Sequence, residues 1–204
     1  MYPRIALVGG KEQLVSVDCL VGIQEYLSMK HHIINIEGVI NMEELSPSLL
    51  LIHDSQYSCP VKLIVNSPGG DLSAIFLLYD TIKMMKAPVY TLGRYCGSGA
   101  ALILAAGTRR YLAPHARMML HLPSGQIGGD TRDWDIYHAE MAKYKDSVVQ
   151  ILQECGVKRT RDDILRDIDR DIWFNPQEAI DYGLADEIMT PEIMASWLKE
   201  EKDV

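Results

Sequence analysis

Residues 61–71 read VKLIVNSPGGD, and the fold follows from them. Five of the first six are aliphatic or amide-capped with no helical spacing, which is the signature of a strand covered on both faces. Asn66-Ser67-Pro68-Gly69-Gly70 then turns the chain at once, and Asp71 stands where a helix cap stands, so a helix is expected over residues 71–85. A buried strand handing directly to a helix is half of a βαβ unit. The same grammar repeats outward. Upstream, residues 32–36 read as a strand, with a helical segment over 43–53 between it and residue 61. Downstream come a strand at 88–92, a short helix at 98–106 closed by Gly107, and a strand at 117–121. Strand and helix alternate, so the class is α/β with a mostly parallel sheet. Residues 1–30 are least readable: 4–10 suits a short strand, and 13–27 is weakly periodic.

The segment 131–155 differs in kind. Its apolar residues Trp134, Tyr137, Met141, Tyr144, Val148, Ile151 and Cys155 fall at alternating steps of three and four. Globular helices average about 11–12 residues, and this one is longer. Two readings stay open: the stripe packs on its own sheet, or it pairs with another subunit. Asn175-Pro176-Gln177-Glu178 then starts a further helix, with an Asn cap, Pro in the first position and Glu in the third, and Gly183 ends it.

The chain has 204 residues, 48% hydrophobic and 24% charged, the size and balance of one domain with a sizeable core. A net charge of −8 argues against nucleic acid or an anionic membrane as partner. The longest apolar stretch, residues 99–107, falls far short of the ~20 residues a membrane span needs. Cys19, Cys59, Cys96 and Cys155 are scattered with no CxxC, which suits reduced thiols in a cytoplasmic protein; a processed organellar protein would look the same.

Phosphate-binding Gly-rich loops, dinucleotide fingerprints and HExxH are absent. The acidic run from Asp162 to Asp171 alternates with Arg161, Arg166 and Arg170, which makes it a solvated, self-compensated face, and no metal is expected. Two glycine-bearing turns are more informative. The first, residues 66–71, can present outward N–H groups at a helix start, where an anion or a developing oxyanion sits well. The second, Gly97-Ser98-Gly99, either caps a helix with Ser98 or exposes its hydroxyl as a nucleophile. A nucleophilic Ser needs a base, and His121 ends a strand just before Pro123. Asp171 is a cap or a partner of Arg170.

Taken together, NSPGG (66–70), SGAALILAAG (98–107), RMMLHLP (117–123) and DRDIWFNPQEAIDYGL (169–184) resemble the proteolytic subunit of the ATP-dependent Clp protease family. The resemblance runs in unbroken order from about residue 31 to 188, and the spacings of 23 residues from Ser98 to His121 and 50 from His121 to Asp171 suit it. It implies a ClpP/crotonase-like spiral of βαβ units with a projecting handle helix at about 131–155. The peptidase domain would cover 31–190, after a poorly matched segment 1–30 (an axial-loop region) and before a tail, 191–204. It implies Ser98, His121 and Asp171 as catalytic residues and the Gly70 and Gly99 N–H groups as oxyanion hole. Gly69, Leu122, Pro123, Gly125 and Gly128 would hold the peptide, along the strand 125–129. Trp134, Tyr137, Met141, Tyr144, Val148 and Arg170 would join two stacked seven-membered rings of a homo-oligomer.

The function so implied is a self-compartmentalising serine endopeptidase acting on unfolded proteins and peptides. It carries no cofactor of its own, and an AAA+ unfoldase partner would use the ATP. The alternatives are a non-catalytic or regulatory ring subunit and a coenzyme-A-handling enzyme of the same fold. Several residues depart from the family pattern. Gly93 lies five rather than four residues before Ser98, bulky Tyr95 replaces a small residue, Leu122 stands where Gln is usual, and the turn 107–111 is short. Lys62 and Ile64 stand where Tyr is common and Met84 where an aromatic is, in pockets that receive the unfoldase; Tyr111 alone keeps a ring.

Overall fold

The computed structural model describes residues 4–8, 11–15, 31–42, 60–125 and 128–198. The helix expected over 43–53 and most of the periodic stretch 13–27 lie outside them. Strands β1 (Arg4–Val8) and β2 (Lys11–Val15) make an antiparallel pair, where one strand had been expected.

The aliphatic run that begins at Val61 forms β4 (Val61–Gly70), between β3 (Ile33–Ile40) and β5 (Val89–Gly97), parallel to both. Val61, Leu63 and Val65 enter the main core, whereas Ile64 joins a second cluster with Leu92, Tyr111, Met189 and Trp197. Alternate residues of a strand point to opposite faces, so β4 is covered on both sides, as its unbroken apolar run requires. β6 (Arg109–Leu120) continues the sheet in parallel with β5; β7 (Ile172–Phe174) pairs with its far end antiparallel, and β8 (Glu187–Ile188) with its near end in parallel. The order is β3-β4-β5-β6-β7.

Strands β5 and β6 are longer than their apolar runs suggested, because both continue through irregularities. Val65 faces Gly93 but Asn66 faces Tyr95, so Arg94 is an extra residue bulged out of β5 with its side chain in solvent. The bulky Tyr95 ring lies 6.3 Å from that of Trp173.

Helix α1 (Leu72–Met84) starts where Asp71 accepts from the Ala74 N–H at 3.0 Å. It packs with α2 (Gly99–Ala105) over the sheet, and Ile75, Leu78, Ile103 and Leu104 are fully buried. Helix α3 (Thr131–Glu154) begins with a capping box between Asp130 and Asp133. Its two halves differ in burial. Val148, Val149, Ile151 and Leu152 are buried in the chain's own core, while Trp134 is 48% and Ile136 70% exposed on the projecting half. Val148 is therefore corrected from interface to core residue, because the stripe enters the body of the protein before reaching it. Tyr144 is half-buried, its ring 5.8 Å from Phe76.

Helix α4 (Arg161–Asp167) carries the acidic run, with Arg166 on Asp163 and Arg159 near Asp167 at 3.6 Å. Helix α5 (Pro176–Tyr182) has the Asn175–Glu178 capping box and the Gly183 stop read from the sequence. The segment set apart as a tail forms α6 (Pro191–Trp197), capped by Thr190 and seated on the second cluster.

Candidate active site

Three strand ends converge. Gly97 pairs with Met119, so Ser98 follows on from β5 beside the end of β6, and its N–H donates to the Met119 carbonyl at 2.8 Å. Leu120 pairs antiparallel with Ile172, and the register therefore sets His121 opposite Asp171. His121 Nε2 lies 2.7 Å from Ser98 Oγ, a hydrogen bond, and its Nδ1 lies 3.9 Å from Asp171 Oδ1. That second distance is within ion-pair range and beyond a hydrogen bond. The His121 side chain is partly buried, whereas that of Asp171 is 61% exposed.

Ser98 occupies the N-cap position of α2 but makes no capping hydrogen bond; its hydroxyl is turned to the imidazole instead. Its φ of 53° and ψ of −126° are rare for a residue with a side chain. Such strain persists where the surroundings over-determine it, which is common at reactive positions. The surroundings here are the other glycine turn. Gly69 has φ +96°, and a Cβ there would come within 2.7 Å of the Gly97 carbonyl oxygen and 2.9 Å of the Ser98 Cβ. A Cβ on Gly99 would overlap Ile75 of α1. The two turns singled out in the sequence thus pack directly on each other.

Ser67, which sequence reasoning missed, holds this arrangement from beneath. It is fully buried, and its Oγ accepts from the Gly69 N–H at 3.0 Å. A hydroxyl bonding two residues onward is an ordinary turn motif, but nothing in NSPGG marks that Ser over its neighbours. Gly70, by contrast with Gly69, is exposed. Cys96, beside Ser98 in sequence, is no rival nucleophile: burial raises its thiol well above the ordinary range, despite a lowering hydrogen bond from the backbone at Arg94.

The remaining residues singled out in the sequence lie at graded distance from this centre. Leu122 is partly buried against the main core, with its N–H on the Ile168 carbonyl at 2.9 Å, and Pro123 is also partly buried. Gly125 and Gly128 are exposed; the Tyr137 hydroxyl stands where a Cβ on Gly125 would be, and Gly128 has open space around it. Residues 126–127 between them lie outside the described set. Trp134, Tyr137 and Met141 lie on the projecting part of α3. The Arg170 side chain is exposed, 4.0 Å from Asp169. Cys96 and Cys155 are buried and unbridged. Among the described residues no three His, Cys, Asp or Glu groups gather as around a metal, and no helix is long and apolar enough to cross a membrane.

The chain is thus an α/β protein with a mostly parallel sheet, in which a strained Ser98 is hydrogen-bonded to His121 beside a glycine turn. The profile of the family described as Clp protease matches residues 22–192. The "ATP-dependent Clp protease proteolytic subunit 1" of Rhodopirellula baltica is 34% identical over 171 residues, 80% of this chain and 74% of that protein. The protein of the same name from Chlamydia caviae is 41% identical over 146 residues, 69% of this chain and 74% of its own. The "ATP-dependent Clp protease proteolytic subunit 4, chloroplastic" of Arabidopsis thaliana is 36% identical over 150 residues, 72% of this chain and 51% of its own. The chain belongs to the Clp protease family.

Proposed function

We propose that this chain is a serine endopeptidase in which Ser98, His121 and Asp171 cut peptide bonds of unfolded proteins. The observation that carries the reading is the 2.7 Å contact between His121 Nε2 and Ser98 Oγ, made by a hydroxyl that forgoes its helix-capping bond. Ser98 Oγ attacks the peptide carbonyl while His121 Nε2 takes its proton, and the acyl-enzyme forms as His121 returns that proton to the leaving amine. Water then repeats the sequence and frees Ser98. Asp171 favours the tautomer with Nδ1 protonated and stabilises the imidazolium, closing its 3.9 Å gap in the working enzyme.

The oxyanion is held by the N–H groups of Gly70 and Gly99. The Asp71 N–H goes to the Ile40 carbonyl at 2.8 Å on the β3 side. Successive N–H groups of an extended strand face opposite edges, so the Gly70 N–H faces β5 and Ser98. Gly99 supplies a first-turn N–H of α2, which has no carbonyl partner within its own helix. Donors so placed are each worth about 3–4 kcal/mol to such a reaction. Gly69 and the segment from Leu122 and Pro123 through Gly125 and Gly128 lay the substrate alongside as an added strand.

The active particle is a homo-oligomer of two stacked seven-membered rings joined through the projecting half of α3, and an AAA+ unfoldase feeds it at the expense of ATP. The buried, unbridged thiols fit a reducing, cytoplasmic setting. The test is hydrolysis of an unstructured fluorogenic peptide by the assembled protein and by its Ser98→Ala variant, with circular dichroism to show both folded. Turnover by the parent and none by the variant is expected; equal turnover by both overturns the reading.

A further inference from the structure

We infer that the open cavity between β7, α5 and the loop 156–160 binds a short zwitterionic peptide that carries an apolar side chain. The cavity has a volume of about 420 Å³, within the size range of small-ligand sites. None of Ser98, His121 and Asp171 lines it. β7 contributes Ile172, Trp173 and Phe174 to its lining. The Trp173 side chain is 48% exposed, and the buried Phe174 ring is backed by the Tyr182 ring at 4.9 Å. An apolar side chain therefore finds a fixed aromatic floor here.

The two flanking walls carry opposite charges. Lys158 and Arg159 stand on the loop, whereas Glu178 and Asp181, three residues apart, share one face of α5. Among the described residues no ion pair crosses between these walls. Lys158 has no carboxylate partner there, and Arg159 turns instead to Asp167 at 3.6 Å and to the Tyr182 ring at 5.4 Å. Across the cavity, Glu178 Oε2 accepts from the Asn175 N–H at 2.7 Å, and Asp181 Oδ1 accepts from the Gln177 side chain at 2.9 Å. The second oxygen of each carboxylate remains to receive a donor. A simple anion would meet the repulsion of Glu178 and Asp181, and a simple cation that of Lys158 and Arg159. A molecule with one charge of each sign at its two ends satisfies both walls at once. A free tripeptide is such a molecule: its ends lie up to about 10 Å apart, and its side chains lie between them. Its carboxylate goes to Lys158, its ammonium to Glu178 and Asp181, and an apolar side chain to Trp173.

This site goes beyond the peptidase reading and does not rest on it, and its test uses no catalytic activity. The assembled protein is titrated calorimetrically with the tripeptide Gly-Leu-Phe, with its N-acetyl form and with its C-terminal amide. The free tripeptide is expected to bind, and removal of either terminal charge should weaken binding at least about tenfold, the loss of one charged hydrogen bond. Lys158→Met should weaken the free tripeptide by a similar factor and leave the amide unaffected. Glu178→Gln keeps the helix cap; it should weaken the free tripeptide and leave the N-acetyl form unaffected. Circular dichroism shows that both variants are folded, and the blocked peptides test the parent protein without any substitution. Absence of binding by the parent at millimolar peptide, or equal binding of free and blocked peptides, overturns the inference. So does full affinity in both variants, which would put the peptide in the cleft at Ser98 instead.

Discussion

Gly69 shows how little freedom the site has at the level of single residues. Its left-handed backbone and its 2.7 Å clearance to the Gly97 carbonyl both forbid a side chain, and the obstacle is backbone that cannot swing aside. Gly69→Ala should cost at least about 1–3 kcal/mol in denaturant unfolding. It should also lower peptide hydrolysis far more than it lowers the folded fraction, since the displaced neighbour is Ser98. Unchanged turnover in a folded Gly69→Ala protein would show that the two turns do not position one another. At this scale the sequence was legible where chemistry leaves a mark: a Ser between glycines, a His ending a strand before Pro. Ser67 left none, because a buried turn hydroxyl and an exposed one look alike in a sequence. Asp171 was legible only through the family resemblance, since 50 residues of intervening chain hide the strand register that sets it opposite His121.

Elements are held by a few side chains that join several at once, and Arg110 is the clearest. Its guanidinium donates to the carbonyls of Cys155 and Gly183, at the ends of α3 and α5, and to both carboxylate oxygens of Asp186. Burial alone would raise the Asp186 carboxyl, but the hydrogen bonds and charge of Arg110 outweigh it and hold it below the usual range. A carboxylate depressed in the folded state stabilises above its unfolded pKa and loses that contribution as pH falls through the folded one. Arg110→Met should therefore cost about 1–3 kcal/mol at neutral pH by leaving three acceptors without their donor. The difference between parent and Asp186→Asn should narrow below the ordinary carboxylate range; a gap that stays constant down to strong acid would contradict the assignment. From β4 through α3, and again at α5, the order of elements was readable, because apolar runs and caps are local; α4, β8 and α6 were not read as elements. Strand lengths were not, since the bulge at Arg94 and the irregular stretch around Pro114 break the pattern that a strand normally shows. The three-residue β7 is too short to carry any period.

At the scale of the whole molecule, the projecting half of α3 leaves Trp134 and Ile136 in solvent on a single chain, while its root is anchored at Val148, Val149 and Leu152. In the proposed stacked rings a second copy would cover this half of the helix. If the proposed two-ring particle forms through this helix, Trp134→Glu should split it into single rings in sedimentation velocity while the melting temperature of the protomer changes little, because a charge in a closed apolar seam is costly and at this exposed site on one chain is not. Double rings that persist unchanged would move the interface elsewhere. The sequence suggested this helix by its length and stripe, but it could not show where the stripe enters the core, which is a property of the packed body.

Ser98 is the proposed nucleophile, and covalent labelling can identify it on the intact protein. The assembled protein is incubated with a fluorophosphonate, which phosphonylates a serine activated by a neighbouring base with loss of fluoride, and the adduct is located by peptide mass mapping. A single adduct per chain is expected, on Ser98, absent from the Ser98→Ala protein and strongly reduced in His121→Ala. An adduct on another serine, or labelling that survives Ser98→Ala at the same rate, would contradict this assignment.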